Sequence, residues 1–193
     1  MRRLLLILIG SILFTSCTDK KTEQNIELNR IMNGVLKYES KRKKLDSNYK
    51  FLVSSELDKL KIYIPSQKEI LGEEPGPPPF FNRNIIRLLD LNKDNSENRK
   101  SDSLNLLIQN NYVFDSIQLE KSINKNIIVA NKNEIDKRKN LYIFSNPVFY
   151  NDKFTYIETN FYDSSFGIGF GYILEKQKNG NWKVIKIENT FIT

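Results

Sequence analysis

Three carboxylates in the last third of the chain are of the residue type that acid–base catalysis could use, although nothing in the sequence fixes their separation. Glu158, Asp163 and Glu175 lie on or beside segments whose alternating apolar residues predict β-strands. Two carboxylates that flank a pocket are the minimal equipment for cleaving a glycosidic bond, because one acts as the acid and the other as base or nucleophile. Carboxylates on strands also form the solvated face of a half-exposed sheet, which is the simpler interpretation of these residues.

The residues that are missing exclude most other enzyme chemistry. The chain contains no histidine and a single cysteine, Cys17. Ser-His-Asp and Cys-His catalysis are therefore excluded, as are the ordinary zinc sites built from cysteine and histidine. Neither a G-x-x-x-x-G-K-[ST] loop nor a G-x-G-x-x-G motif that opens a helix is present. We expect no catalytic residue, no metal site and no cofactor, and hence a protein that is not an enzyme.

Cys17 follows a segment with the pattern of a secretory signal peptide. Two arginines give it a positive start, residues 4–14 are apolar apart from a glycine and a serine, and Thr15 and Ser16 are small. The apolar segment has roughly half of the ~20 residues that a membrane-spanning helix needs. We therefore expect this segment to be cleaved rather than to remain in the bilayer.

The sequence FTSC at 14–17 resembles the lipobox of bacterial lipoproteins, although a leucine is usual where Phe14 stands. In that family the cysteine is acylated (palmitate among the chains) and becomes the first residue of the mature protein. The resemblance implies a signal peptide over 1–16, a lipidated tether over 17–24 and a bilayer partner held through Cys17. It also implies a location in the cell envelope, on the extracytoplasmic side of the outer or the cytoplasmic membrane. Two acyl chains give the stable anchoring that one chain does not.

Residues 90–98 resemble the calcium loop of an EF-hand, in which oxygen ligands recur at alternate positions. The residues at those spacings are Asp90, Asn92, Asp94 and Asn98. Two positions depart from the pattern: Asn95 stands where glycine makes the sharp turn, and Ser101 stands where a bidentate glutamate closes the shell. Because the second change removes the strongest ligand, a solvated polar loop is the simpler interpretation.

Glycine alternates with large apolar residues at 167–172, within one predicted strand. This alternation places three glycines on one face of the strand and three large side chains on the other. The glycine face either receives an aromatic ring or a helix across a curved sheet, or it forms the floor of a ligand pocket. Together with nearby residues it is the candidate binding surface, which consists of Tyr162, Asp163, Phe166, Gly167, Gly169 and Gly171.

Residues 23–45 predict an amphipathic helix, because Ile31, Val35 and Tyr38 follow helical spacing. The helix ends in four consecutive basic residues, 41–44. Positive charge suits a helix C-terminus, so a solvated end is the simpler interpretation. The alternative is a patch for anionic lipid, lipopolysaccharide or nucleic acid. We expect no nucleic acid, since no aromatic residue alternates with these cations to stack bases.

The C-terminal part predicts an antiparallel meander, with strands at 148–150, 154–162, 169–176 and 182–187. Asn179-Gly180 is a strong hairpin signal, because both residues accept the positive φ of a type I′ turn. This part resembles the ends of small exported bacterial proteins. Its Gly-x-Trp-Lys-Val ending also resembles cone-shaped NTF2-like domains, a resemblance that implies a fold and no particular function.

These elements predict one α+β domain over 25–193, with the N-terminal helix or helices packed on a curved C-terminal antiparallel sheet. We expect a membrane-tethered, non-catalytic binding module for another envelope protein, of which an immunity-type partner of a secreted toxin is one version. The alternative is a carrier or sensor of a small ligand (lipid, glycan or ion), with its pocket between the helix and the sheet. A carboxylate-dependent hydrolase is the third hypothesis.

Overall fold

The structure is a computed structural model. It describes residues 2–63, 65–76, 83–84, 99–111, 117–130, 140–150, 152–163 and 166–192, with the backbone alone for 2–21, 83–84 and 99–103. Cys17 and the predicted signal peptide therefore lie outside the described side chains. The loop that resembles a calcium site, 90–98, lies outside the described residues altogether.

Within the described residues the chain forms helices and a larger and a smaller sheet. The helices are α1 (Arg2–Arg42), α2 (Gln67–Leu71), α3 (Arg99–Ile108) and a 3-10 helix (Gln109–Asn111). The strands are β1 (Phe51–Ser54), β2 (Ile62–Tyr63), β3 (Arg83–Asn84), β4 (Ile127–Ala130), β5 (Leu141–Phe144), β6 (Val148–Tyr150), β7 (Phe154–Asp163), β8 (Phe166–Lys176) and β9 (Trp182–Ile192).

The C-terminal end of α1 is set by backbone conformation. Lys44 adopts a left-handed φ of 53°, and the Leu45 N–H donates to the Ser40 carbonyl at 2.9 Å. This is the hydrogen-bond pattern of a Schellman motif, which satisfies carbonyls that the last turn would leave without partners. The helix consequently ends at Arg42, three residues before the predicted end.

The larger sheet is mixed, in the strand order β4-β1-β5-β7-β8-β9, with β6 also paired to β7. The antiparallel pairing of the C-terminal strands was predicted and is confirmed. The parallel pairing of β1 with both β4 and β5 was not predicted. Helix and mixed sheet together confirm the α+β class. The small sheet consists of β2 and β3, paired in parallel.

One hydrophobic cluster combines residues of α1 with residues of the larger sheet. The predicted apolar stripe of α1 is fully buried at Leu28, Ile31, Met32 and Val35, and these side chains join the core that strand residues such as Tyr172 also form. Burial of such side chains from water is the main stabilising contribution to a domain of this size.

The turn between β8 and β9 differs from the predicted type I′ turn. Gly180 has a positive φ of 77°, but Asn179 does not have a positive φ. The Gly180 N–H donates to the Gln177 carbonyl and the Gln177 N–H to the Asn181 carbonyl, both at 2.8 Å. The loop is thus longer than two residues, and only its glycine needs the left-handed conformation.

Candidate functional site

Part of the predicted binding surface lies together at one end of the β7–β8 hairpin. Tyr162 pairs with Gly167, and Asp163 pairs with Phe166. The Phe166 side chain is 46% exposed. Phe166 and the exposed Asp163 therefore give this end of the sheet an accessible aromatic and an accessible acidic residue.

Side chains of neighbouring strands fill the space above the other two glycines. A Cβ atom built on Gly169 would lie 2.5 Å from two ring carbons of Phe191, and one built on Gly171 would lie 2.9 Å from Cε2 of Tyr156. Real Cβ atoms do not approach other atoms so closely. The glycines admit aromatic rings, which is one of the two expectations for this face.

Glu158 and Glu175 contact different side chains. The Tyr156 hydroxyl donates to Glu158 at 2.8 Å, and Lys153 forms an ion pair with Glu175 at 3.2 Å. Asp163 stands exposed at the hairpin end. Separate partners for Glu158 and Glu175 are the arrangement of a solvated sheet face.

A groove of about 530 Å³ lies between the C-terminal half of α1 and the segment that leads into β4. We call it the basic groove. Its charged lining consists of Lys37, Lys41 and Lys44 from α1 and the residues after it, and of Lys125 from the opposite wall. All four lysines are exposed, and no aspartate or glutamate is among the lining residues that the structure describes.

The floor of the basic groove is apolar. Its apolar lining residues are Leu36, Leu45, Phe51, Ile123 and Ile127. Phe51 and Ile127 are paired in register across β1 and β4, so the first residues of two strands close the bottom of the groove. Leu45 and Ile123 are only half-buried, which leaves apolar surface beside the lysines.

The four basic residues at the end of α1 point in two directions, because the buried carboxylate of Glu39 attracts two of them. Glu39 is fully buried, and Arg42 donates to its two carboxylate oxygens at 2.9 and 2.7 Å. The Lys43 ammonium lies 3.7 Å from the same carboxylate and donates to the Tyr142 hydroxyl at 2.6 Å. Arg42 and Lys43 thus face the sheet, while their neighbours in sequence face the groove.

Two tyrosines complete the surroundings of Glu39. The Tyr172 hydroxyl donates to the Glu39 carboxylate at 3.0 Å. Burial, and secondly the negative charge of Glu39, raises the pKa of Tyr172 and of Tyr142. Burial lowers the pKa of Lys43, and the Glu39 carboxylate opposes that shift. This cluster fixes the end of α1 to the sheet and so orients the groove.

A row of asparagines on α1 holds the opposite wall of the groove. Asn29 is fully buried and accepts hydrogen bonds from the Glu120 N–H at 3.0 Å and from the Asn124 side chain at 2.8 Å. One helical turn later, Asn33 donates to the Ile123 carbonyl at 3.0 Å. Because helix side chains four residues apart share a face, this row aligns the segment along the helix.

A second cavity, of about 640 Å³, has a different electrostatic character. Glu27 forms ion pairs with Lys176 and Arg30, and it accepts a hydrogen bond from the Trp182 indole at 3.1 Å. Its two basic lining residues therefore already have a carboxylate partner. Within the described part of the chain, the lysines of the basic groove have no carboxylate partner among the residues that line it.

The sequence pointed to two of the four lysines of the basic groove and did not predict the groove itself. Lys41 and Lys44 belong to the basic run that was interpreted as a solvated end or an anion patch. Lys37 lies one turn earlier on the same helix face, a spacing that was readable from the sequence. Lys125 comes from a distant segment, and only the pairing of β1 with β4 brings it to the helix.

Among the residues that the structure describes, no group of three acidic, histidine or cysteine side chains could hold a metal ion. In the same part of the chain, no helix has the length and hydropathy needed to span a membrane. Comparison with known proteins finds no family model, no curated protein and no solved structure that matches this chain.

Proposed function

We propose that this protein is a lipid-anchored, non-catalytic binding protein of the cell envelope that holds a small anionic ligand in the basic groove. The observation that carries the proposal is the lining of that groove, whose described residues include four lysines and no carboxylate. A volume of about 530 Å³ is within the usual range for small-ligand sites, roughly 300–1,000 Å³.

The lysines of the basic groove have no carboxylate partner among its described lining residues, and this excess of positive charge favours binding of an anion. Lysines that share a concave surface repel one another, and field lines are focused where low-dielectric walls surround them. An anion relieves this repulsion and forms charge-assisted hydrogen bonds with ammonium groups, which are stronger than neutral ones. The asparagine row supports a preformed wall, which lowers the entropy cost of binding.

We further propose that α1 packs over a curved sheet and that this packing forms the groove. A Cβ on Gly34 would lie only 2.6 Å from the Trp182 carbonyl oxygen, so helix and strand approach closely there. Register shifts in the β8–β9 pairing, at Gly169/Phe170 and at Ile173/Leu174, are irregularities of the kind that bend a sheet.

The anchor is the second part of the proposal and rests on the sequence. Residues 1–16 act as the signal peptide, and acylated Cys17 holds the mature chain on the extracytoplasmic face of the outer or the cytoplasmic membrane. Metabolic labelling with an alkyne analogue of palmitate tests this directly. Label and membrane association should both be lost in Cys17→Ala, and label retained in Cys17→Ala would contradict the anchor.

The ligand part is tested by thermal unfolding with small anions. Inorganic phosphate and citrate should raise Tm, because a ligand that binds only the native state stabilises it. Glucose and choline should not. The effect should disappear in the double variant Lys41→Gln/Lys44→Gln and persist in Lys178→Gln, which removes an exposed lysine from the β8–β9 turn. Equal shifts in both variants would contradict binding in the groove.

The second candidate function is binding of another envelope protein, including an immunity-type partner of a secreted toxin. The accessible Phe166 beside Asp163 favours it, because exposed aromatic residues are enriched at interfaces. In-cell crosslinking of a C-terminally tagged protein should capture one dominant partner. That partner should be lost in Phe166→Asp and in Cys17→Ala. Capture of the same proteins by all three forms would count against it.

A further inference from the structure

We infer that the ligand of the basic groove is an anionic amphiphile, with its head group on the lysines and its apolar chain on the floor. This inference rests on the proposed function and adds the chemical class of the ligand. The shared chemistry is a phosphate or carboxylate joined to an alkyl chain.

The apolar floor is the observation that points beyond a simple anion. Leu45 and Ile123 are half-buried on opposite walls, and between them Phe51 and Ile127 form a continuous bottom from adjacent strands. Phe51 and Ile127 are already buried, at 3% and 8% exposure, so a small inorganic anion would leave wet only the exposed parts of Leu45 and Ile123. An alkyl chain removes them from water, which is favourable in proportion to the area covered.

The four lysines at the mouth of the groove indicate that the head group of the amphiphile is negatively charged. Lys37, Lys41, Lys44 and Lys125 are all exposed, so their flexible stems can place ammonium groups around a head group at the mouth. Lysine binds phosphate as a point charge rather than through a planar fork, so the groove need not fix one head-group geometry. A neutral head group would form hydrogen bonds with only one charged partner, which are weaker than those between an ammonium and an anion, and the lysines would repel a cationic head group.

The length of the alkyl chain distinguishes the binding of an amphiphile from the binding of a simple anion. Each methylene that is buried should tighten binding roughly fourfold until the floor is covered. Hexyl phosphate has two more methylenes and should therefore bind roughly 16-fold more tightly than butyl phosphate, and both more tightly than inorganic phosphate. Neutral hexyl glucoside, with the same chain, should bind much more weakly than hexyl phosphate.

The experiment is calorimetric titration of these four compounds into the full chain in phosphatidylcholine nanodiscs, with empty nanodiscs as the blank. Leu45→Asn should abolish the difference between butyl and hexyl phosphate and keep inorganic phosphate binding. Ile185→Asn, which changes an exposed apolar residue of β9, should preserve that difference. Lys44→Gln should weaken all three phosphates, and circular dichroism checks that each variant is folded.

The outcomes distinguish this inference from the function on which it rests. If the three phosphates bind equally and Lys44→Gln weakens them, the amphiphile is overturned and anion binding stands. If no phosphate binds, the proposed function itself fails. If hexyl glucoside binds as tightly as hexyl phosphate, the anionic head group is overturned.

The same titration identifies the source of the amphiphile. Nanodiscs that contain phosphatidylglycerol should reduce the apparent affinity for hexyl phosphate if the groove takes a lipid from the bilayer. An unchanged affinity identifies a free amphiphile.

Discussion

Glu39 is a buried carboxylate whose partners come from its own helix and from the sheet. Arg42 binds both of its oxygens, and the Tyr172 hydroxyl donates to it from β8. Burial of a carboxylate is costly unless it is paired and hydrogen-bonded, and here both conditions hold. The same carboxylate draws Arg42 and Lys43 away from the groove, so this one residue affects stability and the orientation of charge together.

Replacing Glu39 with glutamine should lower the free energy of unfolding by about 2 kcal/mol, the usual size of a lost hydrogen bond to a charged group. The amide keeps the shape but loses the charge that Arg42 and Lys43 contact. Urea unfolding measures the change, with Glu56→Gln at an exposed position as control. Equal midpoints for the two variants would show that the buried cluster contributes no stability.

The tyrosines near Glu39 predict a loss of stability in alkaline solution. Burial raises the pKa of Tyr172 and Tyr142 in the folded state, whereas unfolded tyrosine ionises near pH ~10. A raised folded pKa gives stability that is present below the unfolded value and is lost as the pH rises above it. The lowered pKa of Lys43 predicts a gain of stability as the pH rises, but Lys43 is one group and the tyrosines near Glu39 are two.

Urea midpoints measured between pH 8 and 11 should therefore fall above pH ~10. The urea midpoint of Tyr172→Phe should fall less steeply than that of the unaltered protein, because the variant lacks one of the two buried tyrosines near Glu39. A midpoint that rises through this range would mean that Lys43 outweighs the tyrosines.

At the scale of elements, α1 holds the groove in place through the asparagine row. Asn29→Ala should lower the free energy of unfolding by about 3 kcal/mol, because buried partners such as Asn124 lose hydrogen bonds and cannot reach water. Asn33→Ala removes the hydrogen bond to the Ile123 carbonyl at a half-buried site and should cost less. Hydrogen exchange of residues 117–124 should increase in Asn29→Ala, and unchanged exchange would contradict this role.

Gly34 tests how α1 meets β9. In an isolated helix, alanine at this position should be favoured by about 1 kcal/mol. In the folded protein the added methyl group meets the Trp182 backbone carbonyl, which cannot rotate away as a side chain would. Gly34→Ala should therefore increase the helicity of a 22–45 peptide and lower the Tm of the protein. A raised Tm would show that helix and strand are not in close contact.

Local signals account for the elements that were predicted correctly. The stripe at Ile31 and Val35 and the alternation along β7 to β9 depend on residues close in sequence, and the structure confirms them. The pattern of residues 49–64 indicates a short helix or a strand without deciding between them, and the parallel partner of β1, β4, lies about 75 residues further on. No local pattern specifies such a pairing, which is why the groove between α1 and β4 could not be predicted in full.

At the scale of the whole molecule, positive charge exceeds negative charge. The chain carries a net charge of +7, and the groove concentrates lysines on one face. Ions screen exposed charges over a Debye length of about 10 Å at 0.1 M salt and about 3 Å at 1 M. Affinity for inorganic phosphate should therefore fall several-fold between these concentrations. An affinity independent of salt would contradict binding by the exposed lysines.

The outer edge of β9 affects how the protein associates when many copies lie close together. In the described part of the chain β9 pairs with β8 on one side only, and its eleven residues extend about 37 Å. An open edge of that length can add strands from other copies, which is how fibres begin. Lys183 and Lys186 are exposed along it. Charged side chains on an edge strand oppose the edge-to-edge addition of further strands, a safeguard that matters most if many copies are confined to one surface.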